Sequence, residues 1–181
     1  RQKVHFYKME CTGNDFILVD TSEQPVSNPA GLAVRLCNRR TGIGADSLII
    51  VEKSDKADAA MRFYNQDGTE VNMSGNGLRA VAKYLFDNNV NGIADNHNPT
   101  EPTAEITVET QNGVKNLTIY KLNGKVSAVS VDMGKPEFAP EKLPTTLEAK
   151  DGKIVNVPLT VNGMNYDVTC LSVGNPHCVV F

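Results

Sequence analysis

Residues 74–87 read SGNGLRAVAKYLFD and contain the clearest helical pattern of the sequence. Its apolar side chains recur every three to four positions, so they share one face of a helix. The polar pair Asn88-Asn89 follows and predicts where the helix ends. Shorter apolar runs with period two flank it, which predicts a β-rich fold with one amphipathic helix. The apolar face is formed by Leu78, Val81, Ala82, Leu85 and Phe86.

The first turn of this helix is a candidate anion site. Its backbone amides have no partner within the helix, and the helix dipole is positive at that end, so a carboxylate or phosphate would bind there without a basic side chain. Gly75 and Gly77 each cost about 1 kcal/mol of helix stability relative to Ala, which predicts a need for close backbone approach. Ser74 is either only an N-cap or a catalytic or substrate-contacting group, and we favour the second interpretation.

The chain before this helix is predicted to alternate strands with one shorter helix. Asn28 is expected to cap that helix with Pro29 in its first position, and the helix is expected to end near 38–40. β-Branched and aromatic clusters predict the strands. The predicted strands are Val4 to Tyr7, Phe16 to Val19, Ser47 to Val51 and Ala60 to Tyr64, followed by a turn at 65–68.

After residue 103 the chain is predicted to be nearly all β. Asn112-Gly113 and Asn123-Gly124 are tight-hairpin dipeptides that separate three strands, and Asn162-Gly163 separates two more. The stretch 134–153 contains three prolines and is predicted to be less regular. We place a lobe boundary near 120–135. The expected lobes are 1–122 at the N-terminal side and 123–181 at the C-terminal side.

Composition excludes several classes of protein. The hydrophobic fraction of 40% and the charged fraction of 22% are those of an ordinary globular protein. A net charge of −3 lacks the basic field that attracts nucleic acid or an acidic membrane. No apolar run approaches the roughly 20 residues that span a bilayer, so a cytoplasmic protein is expected. The first residue is not Met and the last residues form an apolar, strand-like run, which suggests a fragment.

Motifs for common cofactors and metals are missing from the sequence. Gly42-Ile43-Gly44 does not match the dinucleotide fingerprint, and neither a P-loop nor a nucleophile elbow occurs. His5 and His97 have no acidic or Cys neighbour at ligand spacing, so no metal site is predicted. The four cysteines show no C-x-x-C spacing, and reduced thiols are expected.

Glycine–asparagine pairs recur at predicted loop ends. Both residues tolerate positive φ, so a single pair is more often structural than functional. His177 closes the loop 174–177 and either tunes protonation in a shared pocket or hydrogen-bonds within its own loop. The pairs are Gly13-Asn14, Gly75-Asn76 and Gly174-Asn175, with Asn65 ahead of a further turn.

Six motifs occur in a specific order along the chain. They are Lys8-Met9 with 13–16, then 40–46, 63–70, 75–79, 131–136 and 174–177. Any one could arise by chance, whereas the joint order could hardly do so. Together they resemble the diaminopimelate epimerase family, a group of cofactor-independent amino-acid racemases and epimerases. The resemblance covers essentially all 181 residues but only about the first two-thirds of a family member.

The resemblance implies an α+β fold with two similar lobes, each a mixed β-sheet curled around a central helix. The second lobe would be incomplete here, and the active site would lie between the lobes. The implied reaction is a two-base inversion of LL- to meso-diaminopimelate, without PLP, in lysine and peptidoglycan-precursor biosynthesis. No cofactor is expected, and the implied partners are the amino-acid substrate and a second copy in a homodimer.

The resemblance also assigns site residues by position. Substrate contacts fall on Asn14, Asn65, Gly75, Asn76 and Asn175, the first catalytic position is Ser74, and His177 sets the pKa of a cysteine.

Two positions depart from the family pattern. Ser74 stands where the family has its first catalytic cysteine, and Ser47 stands where many members have Gln; the second catalytic cysteine would lie after Phe181. A serine hydroxyl is a much weaker acid than a thiol. The sequence therefore leaves three hypotheses open: diaminopimelate epimerase, a related isomerase acting on another substrate, and an amino-acid-binding lobe without activity. It also leaves open whether Ser74 is natural or engineered.

Overall fold

The structure is a computed structural model that describes residues 3–181, and the chain divides into two compact units at Asp132 and Met133. The division falls ten residues beyond the predicted boundary between 122 and 123. The reason is the strand Lys125–Val131, which is hydrogen-bonded to the preceding strand and so belongs to the first unit. That the two units correspond to the two family lobes stays a prediction.

The first unit is a mixed sheet with two helices. Parallel pairing joins β2 to β3 and β4 to β6, and every other neighbouring pair is antiparallel. The order across the sheet is β1-β2-β3-β4-β6-β7-β8, with the short β5 paired to β4. The elements are β1 (Tyr7–Cys11), β2 (Asn14–Asp20), α1 (Pro29–Leu36), β3 (Ser47–Glu52), β4 (Ala59–Asn65), β5 (Glu70–Val71), α2 (Gly75–Asp87), β6 (Thr103–Thr110), β7 (Gly113–Leu122) and β8 (Lys125–Val131).

The sheet curls around α2, because this helix contacts both terminal strands of the sheet as well as strands in its middle. At one edge the ring of Tyr84 in α2 lies 4.6 Å from that of Tyr7 in β1. At the other edge Lys83 Nζ donates to the carbonyl of Val126 at 2.9 Å, and Asp87 accepts from its amide at 2.9 Å. These bonds occupy backbone groups that an edge strand otherwise leaves unpaired. The predicted mixed sheet around a central helix is confirmed for this unit.

Helix α1 covers the outer side of β3 and β4. Asn28 caps it as predicted, since its side chain accepts a hydrogen bond from the amide of Gly31 at 2.9 Å. Leu32 and Ala33 are buried in the cluster that α1 forms with the sheet. The helix ends at Leu36, slightly before the predicted 38–40.

The first hairpin is tighter than predicted. The strand expected at Val4 to Tyr7 lies at Tyr7–Cys11, and it pairs with β2 across only two turn residues. Thr12 and Gly13 adopt positive φ of 52° and 83°, the combination that joins twisted antiparallel strands most compactly. The polar residues between the two predicted strands therefore form the end of β1, the turn and the start of β2.

The second unit contains a three-stranded antiparallel sheet in the order β11-β10-β9. The hairpin at Asn162-Gly163 is confirmed, with both residues at positive φ. A small buried cluster lies on one side of the sheet and contains Leu143, Ile154, Val157 and Cys170. The strands are β9 (Val157–Val161), β10 (Met164–Ser172) and β11 (Pro176–Val180).

Within the described residues 3–181, no helix has the length and apolar character needed to cross a lipid bilayer.

Candidate active site

Ser74 is the N-cap of α2. Its backbone is extended, its Oγ accepts from the amide of Gly77 at 3.0 Å, and its carbonyl accepts from the amide of Leu78 at 2.9 Å. The amides of Gly75 and Asn76 precede the first residue that can bond within the helix. They point beyond the helix end, where the dipole is positive, and all three residues at positions 74–76 are partly exposed. This geometry is suited to binding an anion.

Gly77 has a packing role that the sequence did not reveal. A Cβ at this position would lie 2.9 Å and 3.1 Å from two ring carbons of Phe63. The Phe63 ring is 6% exposed and packs edge-on against Phe16 at a centroid distance of 5.8 Å. The close approach predicted from the two glycines is thus, at Gly77, an approach to an aromatic ring of β4. Of the two glycines, only Gly75 is still predicted to lack a side chain so that a ligand can approach the backbone.

Asn14 and Asn76 come together at this helix end. Asn76 Nδ2 lies 3.4 Å from Asn14 Oδ1, although 62 residues separate them along the chain. Arg79, one turn further along α2, donates to Asn76 Oδ1. Asn14 Nδ2 in turn donates to Asp46 at 2.8 Å. Both predicted substrate-contacting amides are therefore held in fixed orientations next to the free amides of the helix.

A charged network positions Asn14. Asp15 and Asp46 exchange side-chain-to-backbone hydrogen bonds of 2.9 Å and 3.1 Å, which join the start of β2 to the start of β3. Arg39 donates to both carboxylates, and Lys8 Nζ lies 2.8 Å from Asp15. The sequence motifs include Lys8, Asp15 and Asp46 but assign them no role, and Arg39 lies outside the motifs. The signal was present, because both Asn14-Asp15 and Ala45-Asp46 put an aspartate directly before a buried strand segment.

The network holds the Asp15 carboxylate ionised. The hydrogen bond from Arg39, aided by Lys8, lowers the pKa of Asp15 far below its usual range against an opposing effect of burial. The two aspartates raise the pKa of Arg39 in return. Carboxylates that accept several charge-assisted hydrogen bonds stay charged at any physiological pH. The network therefore contributes fixed geometry rather than proton transfer.

Asn65 and Ser47 lie at the same end of the neighbouring strands as Asn14. Ser47 is the direct partner of Phe16 on one side and of Asn65 on the other. Ser47 is 4% exposed, and Asn65 Nδ2 donates to Thr69 Oγ1 at 3.0 Å in the following turn. The two positions that depart from the family pattern therefore have different surroundings. Ser74 is at the open helix end, whereas Ser47 is buried beside a predicted substrate contact.

Asn175 and His177 belong to the second unit. The loop between β10 and β11 contains Gly174 at a φ of 104°, and His177 Nε2 lies 3.1 Å from Asn175 Oδ1. The two residues predicted for this loop are hence brought together. The first unit brings together Asn14, Gly75, Asn76 and Ser74, and Asn65 lies at the same end of the strands.

Two cavities of the first unit lie elsewhere. One, of about 560 Å³, lies against α1 and is lined by Arg35 and Leu36 among others, and the other, of about 350 Å³, lies between β1, β8 and α2. Neither is lined by Ser74. Among residues 3–181, no three His, Cys, Asp or Glu side chains are grouped closely enough to hold a metal ion.

Comparison with known proteins identifies the family. The family model described as "Diaminopimelate epimerase" matches residues 6–139. A curated protein of that name from Agathobacter rectalis is 41% identical over 97% of this chain and 60% of its own length. The corresponding proteins of Pelotomaculum thermopropionicum and Moorella thermoacetica are each 40% identical over 98% of this chain and 60% of their length. The chain thus spans about 60% of the curated relatives that it matches.

Solved structures support the fold. A hydroxyproline epimerase from Agrobacterium vitis superposes with a TM-score of 0.65 over 97% of this chain and 50% of its own, at 15% identity. A probable proline racemase from Agrobacterium radiobacter gives 0.66 over 98% of this chain and 52% of its own, at 16% identity. At such low identity these structures show a shared fold only. Because a family model covers most of the chain and the identity to full-length relatives is high, the chain belongs to the diaminopimelate epimerase family.

Proposed function

We propose that this chain provides the substrate-binding and first proton-transfer part of an epimerase that inverts LL- to meso-diaminopimelate without PLP or metal. The observation that carries the proposal is the open amino end of α2, where the amides of Gly75 and Asn76 adjoin the fixed amide groups of Asn14 and Asn76. Family membership supports the same activity, and the relatives at about 40% identity carry that name.

The helix terminus suits the α-carboxylate of an amino acid. Removal of the α-proton shifts negative charge onto that carboxylate, so backbone amides aimed at it bind the transition state more strongly than the ground state. Asn14, Asn76 and Asn65 supply neutral donors and acceptors that fix the substrate without adding charge. In the second unit, Asn175 is proposed as a further substrate contact and His177 as the group that tunes proton transfer.

Position 74 is proposed as the proton-transfer position. A thiol at a helix N-terminus has a lowered pKa, and it remains a competent acid after it takes up the proton. Ser74 Oγ occupies that place and already accepts the Gly77 amide. A hydroxyl with no adjacent base is a poor proton acceptor, so turnover by the serine form is expected to be slow.

Exchange of the α-proton of diaminopimelate in deuterated water tests the proposal. A single base suffices for exchange, because a solvent deuteron can return to the face from which the proton left. We expect slow exchange with Ser74 and an increase on the order of 10²-fold in Ser74→Cys. Asn14→Ala in the Ser74→Cys background should reduce the exchange and weaken substrate binding. Absence of exchange in Ser74→Cys, with the substrate demonstrably bound, would contradict the proposal.

A second candidate function is amino-acid binding without turnover. The observation that favours it is Ser74 itself, which acts as a helix cap and keeps the anion site intact while lacking a thiol. Calorimetric binding of diaminopimelate that is unchanged in Ser74→Ala, with no isotope exchange in either form, would support this alternative. Turnover of a different amino acid only would instead favour a related isomerase, for which buried Ser47 beside Asn65 is the motivating difference.

The remaining parts of the proposal concern its setting. We propose a cytoplasmic location, a small-molecule amino-acid substrate and a homodimer as the working assembly, without nucleic-acid or membrane partners. The acidic net charge of −3 supports the exclusion of nucleic acid. Sedimentation at micromolar concentration would test the homodimer.

A further inference from the structure

Cys170 and Cys178 face each other across the last hairpin. Cys170 lies in β10 and Cys178 in β11, and the two are direct partners in the antiparallel register. Direct partners project to the same face of a sheet. The two thiols thus lie on the same face of the sheet, and seven residues separate them in the sequence.

Antiparallel strands contain two types of residue pair, and the hydrogen-bond pattern shows that Cys170 and Cys178 form the type in which the two residues lie closer together. The amide of Cys170 donates to the carbonyl of Ile154 at 2.9 Å, on the side away from β11. Cys170 and Cys178 are therefore a non-hydrogen-bonded pair, for which Cα atoms lie about 4.5 Å apart. A disulfide needs a Cα separation of about 4.4–6.8 Å, so the backbone already has a spacing that permits the bond.

The two thiols differ in their surroundings. Cys178 lies on the edge strand and is exposed, whereas Cys170 is 6% exposed within the small core of the second unit. Burial raises the pKa of Cys170, and hydrogen bonding to the Cys178 thiol raises it further. The side chains are consequently in contact, with one accessible to solvent and the other shielded from it.

We propose that Cys170 and Cys178 form a peroxide-responsive dithiol that closes to an intrachain disulfide. The Cys178 thiolate attacks hydrogen peroxide, the O–O bond breaks, and Cys178 becomes a sulfenic acid. The hydroxide that leaves takes up the proton that the thiol had released and becomes water. The Cys170 thiol then attacks the Cys178 sulfur, forms the S–S bond and releases a second water. Peroxide is the two-electron oxidant, and a dithiol reductant such as thioredoxin restores both thiols. Transient disulfides of this kind are the type found in reducing compartments.

The bond would tie the base of the loop that holds Asn175. Residues 173–175 connect the two strands, and His177 lies next to Cys178 but on the opposite face of β11. A disulfide between residues 170 and 178 restricts the twist of this hairpin. It does not involve the side chain of Asn175 or that of His177. The dithiol is independent of the proposed epimerase activity, so one proposal can fail while the other stands.

Peptide mass analysis of the whole protein after treatment with hydrogen peroxide tests the dithiol. Cleavage at Lys and Arg leaves both cysteines in the peptide that begins at Ile154, while Cys11 and Cys37 fall in two other peptides. We expect the 154 peptide to lose the mass of two hydrogen atoms and to regain it with thioredoxin. The Cys37 peptide is the internal control for a buried thiol with no partner cysteine and should stay unchanged.

Two variants separate the roles of the thiols. Cys178→Ser changes an exposed side chain and should abolish the mass loss while Cys170 stays reduced. Cys170→Ala should leave Cys178 as a sulfenic acid that dimedone captures. The proposal is overturned if the wild-type peptide keeps its mass under peroxide, or if it gains oxygen at Cys178 while Cys170 remains open to alkylation after unfolding.

Discussion

At the residue scale, the capping role of the Ser74 hydroxyl competes with the proton-transfer role that we propose for this position. Its Oγ accepts the Gly77 amide and so stabilises the start of α2. A proton-transferring group at the same position must accept a proton from substrate as well. A thiolate meets both demands, since the helix terminus stabilises its charge. Serine meets the first and only poorly the second.

The capping role gives the first prediction. Ser74→Ala should lower the free energy of unfolding by about 1 kcal/mol, because the Gly77 amide loses its acceptor. Urea titration of both proteins measures the difference. Ser74→Asp is the matched control and should stay close to wild type, since its carboxylate can accept the same amide. Equal stability of Ser74→Ala and wild type would show that the cap contributes nothing.

Gly77 gives the second prediction, which runs against ordinary helix propensity. Replacing Gly by Ala inside a helix normally stabilises by about 1 kcal/mol. Here the new methyl would lie 2.9 Å from the Phe63 ring, so we expect Gly77→Ala to destabilise by about 1–3 kcal/mol.

The control for Gly77 is a double-mutant cycle measured by urea unfolding. Phe63→Leu alone should also be destabilising, because it leaves a void next to Phe16. The double variant should be less destabilised than the sum of the two single variants, since the smaller side chain removes the clash. Strict additivity would refute the proposed contact.

At the element scale, the starts of β2 and β3 are tied by charge rather than by apolar packing. Asp15 and Asp46 each accept the other strand's amide, and Arg39 spans both. The loop that precedes β3 is thereby held next to Asn14. This arrangement explains how a polar loop end can present an asparagine in one fixed orientation.

The network gives the third prediction, a dependence of stability on acid pH. The folded-state pKa of Asp15 lies below its unfolded value of about 3.9. Its contribution to stability is therefore complete above that pH and is lost as the pH falls through the folded-state pKa. Asp15→Asn should destabilise by about 2 kcal/mol at neutral pH, and the difference from wild type should shrink below about pH 4.

Unfolding in urea across a pH series measures this difference. Asp55→Asn, at an exposed aspartate in the turn before β4, is the matched control and should change stability little at any pH. A difference between Asp15→Asn and wild type that stays constant down to pH values near 2 would contradict the assigned ionic role.

The hairpins show which features of the fold the local sequence predicts correctly. Asn123 and Gly124 both have positive φ and join β7 to β8 as expected for an Asn-Gly turn. At Asn112-Gly113 only the glycine is in that region, because the two turn residues are Gln111 and Asn112. The dipeptide marked the hairpin correctly but not its register, since a glycine at positive φ also serves as the residue that follows a two-residue turn.

At the scale of the whole molecule, the elements were predictable and several of their pairings were not. The helix at 75–87 followed from a period of 3.6, and its cap followed from Ser74. The parallel pairing of β4 with β6 joins Ala59 to Val108, and no local pattern encodes so distant a contact. The site shows the same limit: Asn14 and Asn76 were named from their loops, whereas the support from Arg39 and Asp46 depends on tertiary contacts.

The unequal sizes of the two units give the last prediction. The first unit buries α2 within a sheet of eight strands, and most of the buried apolar residues of the chain belong to it. The second unit has a three-stranded sheet with only a few buried side chains. Domains shorter than about 60 residues bury too little surface to be more than marginally stable, and Met133–Phe181 is shorter than that.

A chain that ends at Asp132 should therefore fold alone, and residues 133–181 alone should not. Amide proton spectra give the readout: dispersed resonances with slow exchange at β3 and α2 for the first piece, and collapsed resonances for the second. Leu48→Asp, which places a charge at a fully buried position of β3, is the control that should unfold the first piece. Dispersed spectra from the isolated second piece would mean that its small core suffices, and collapsed spectra from the first would mean that the sheet around α2 needs residues after 132.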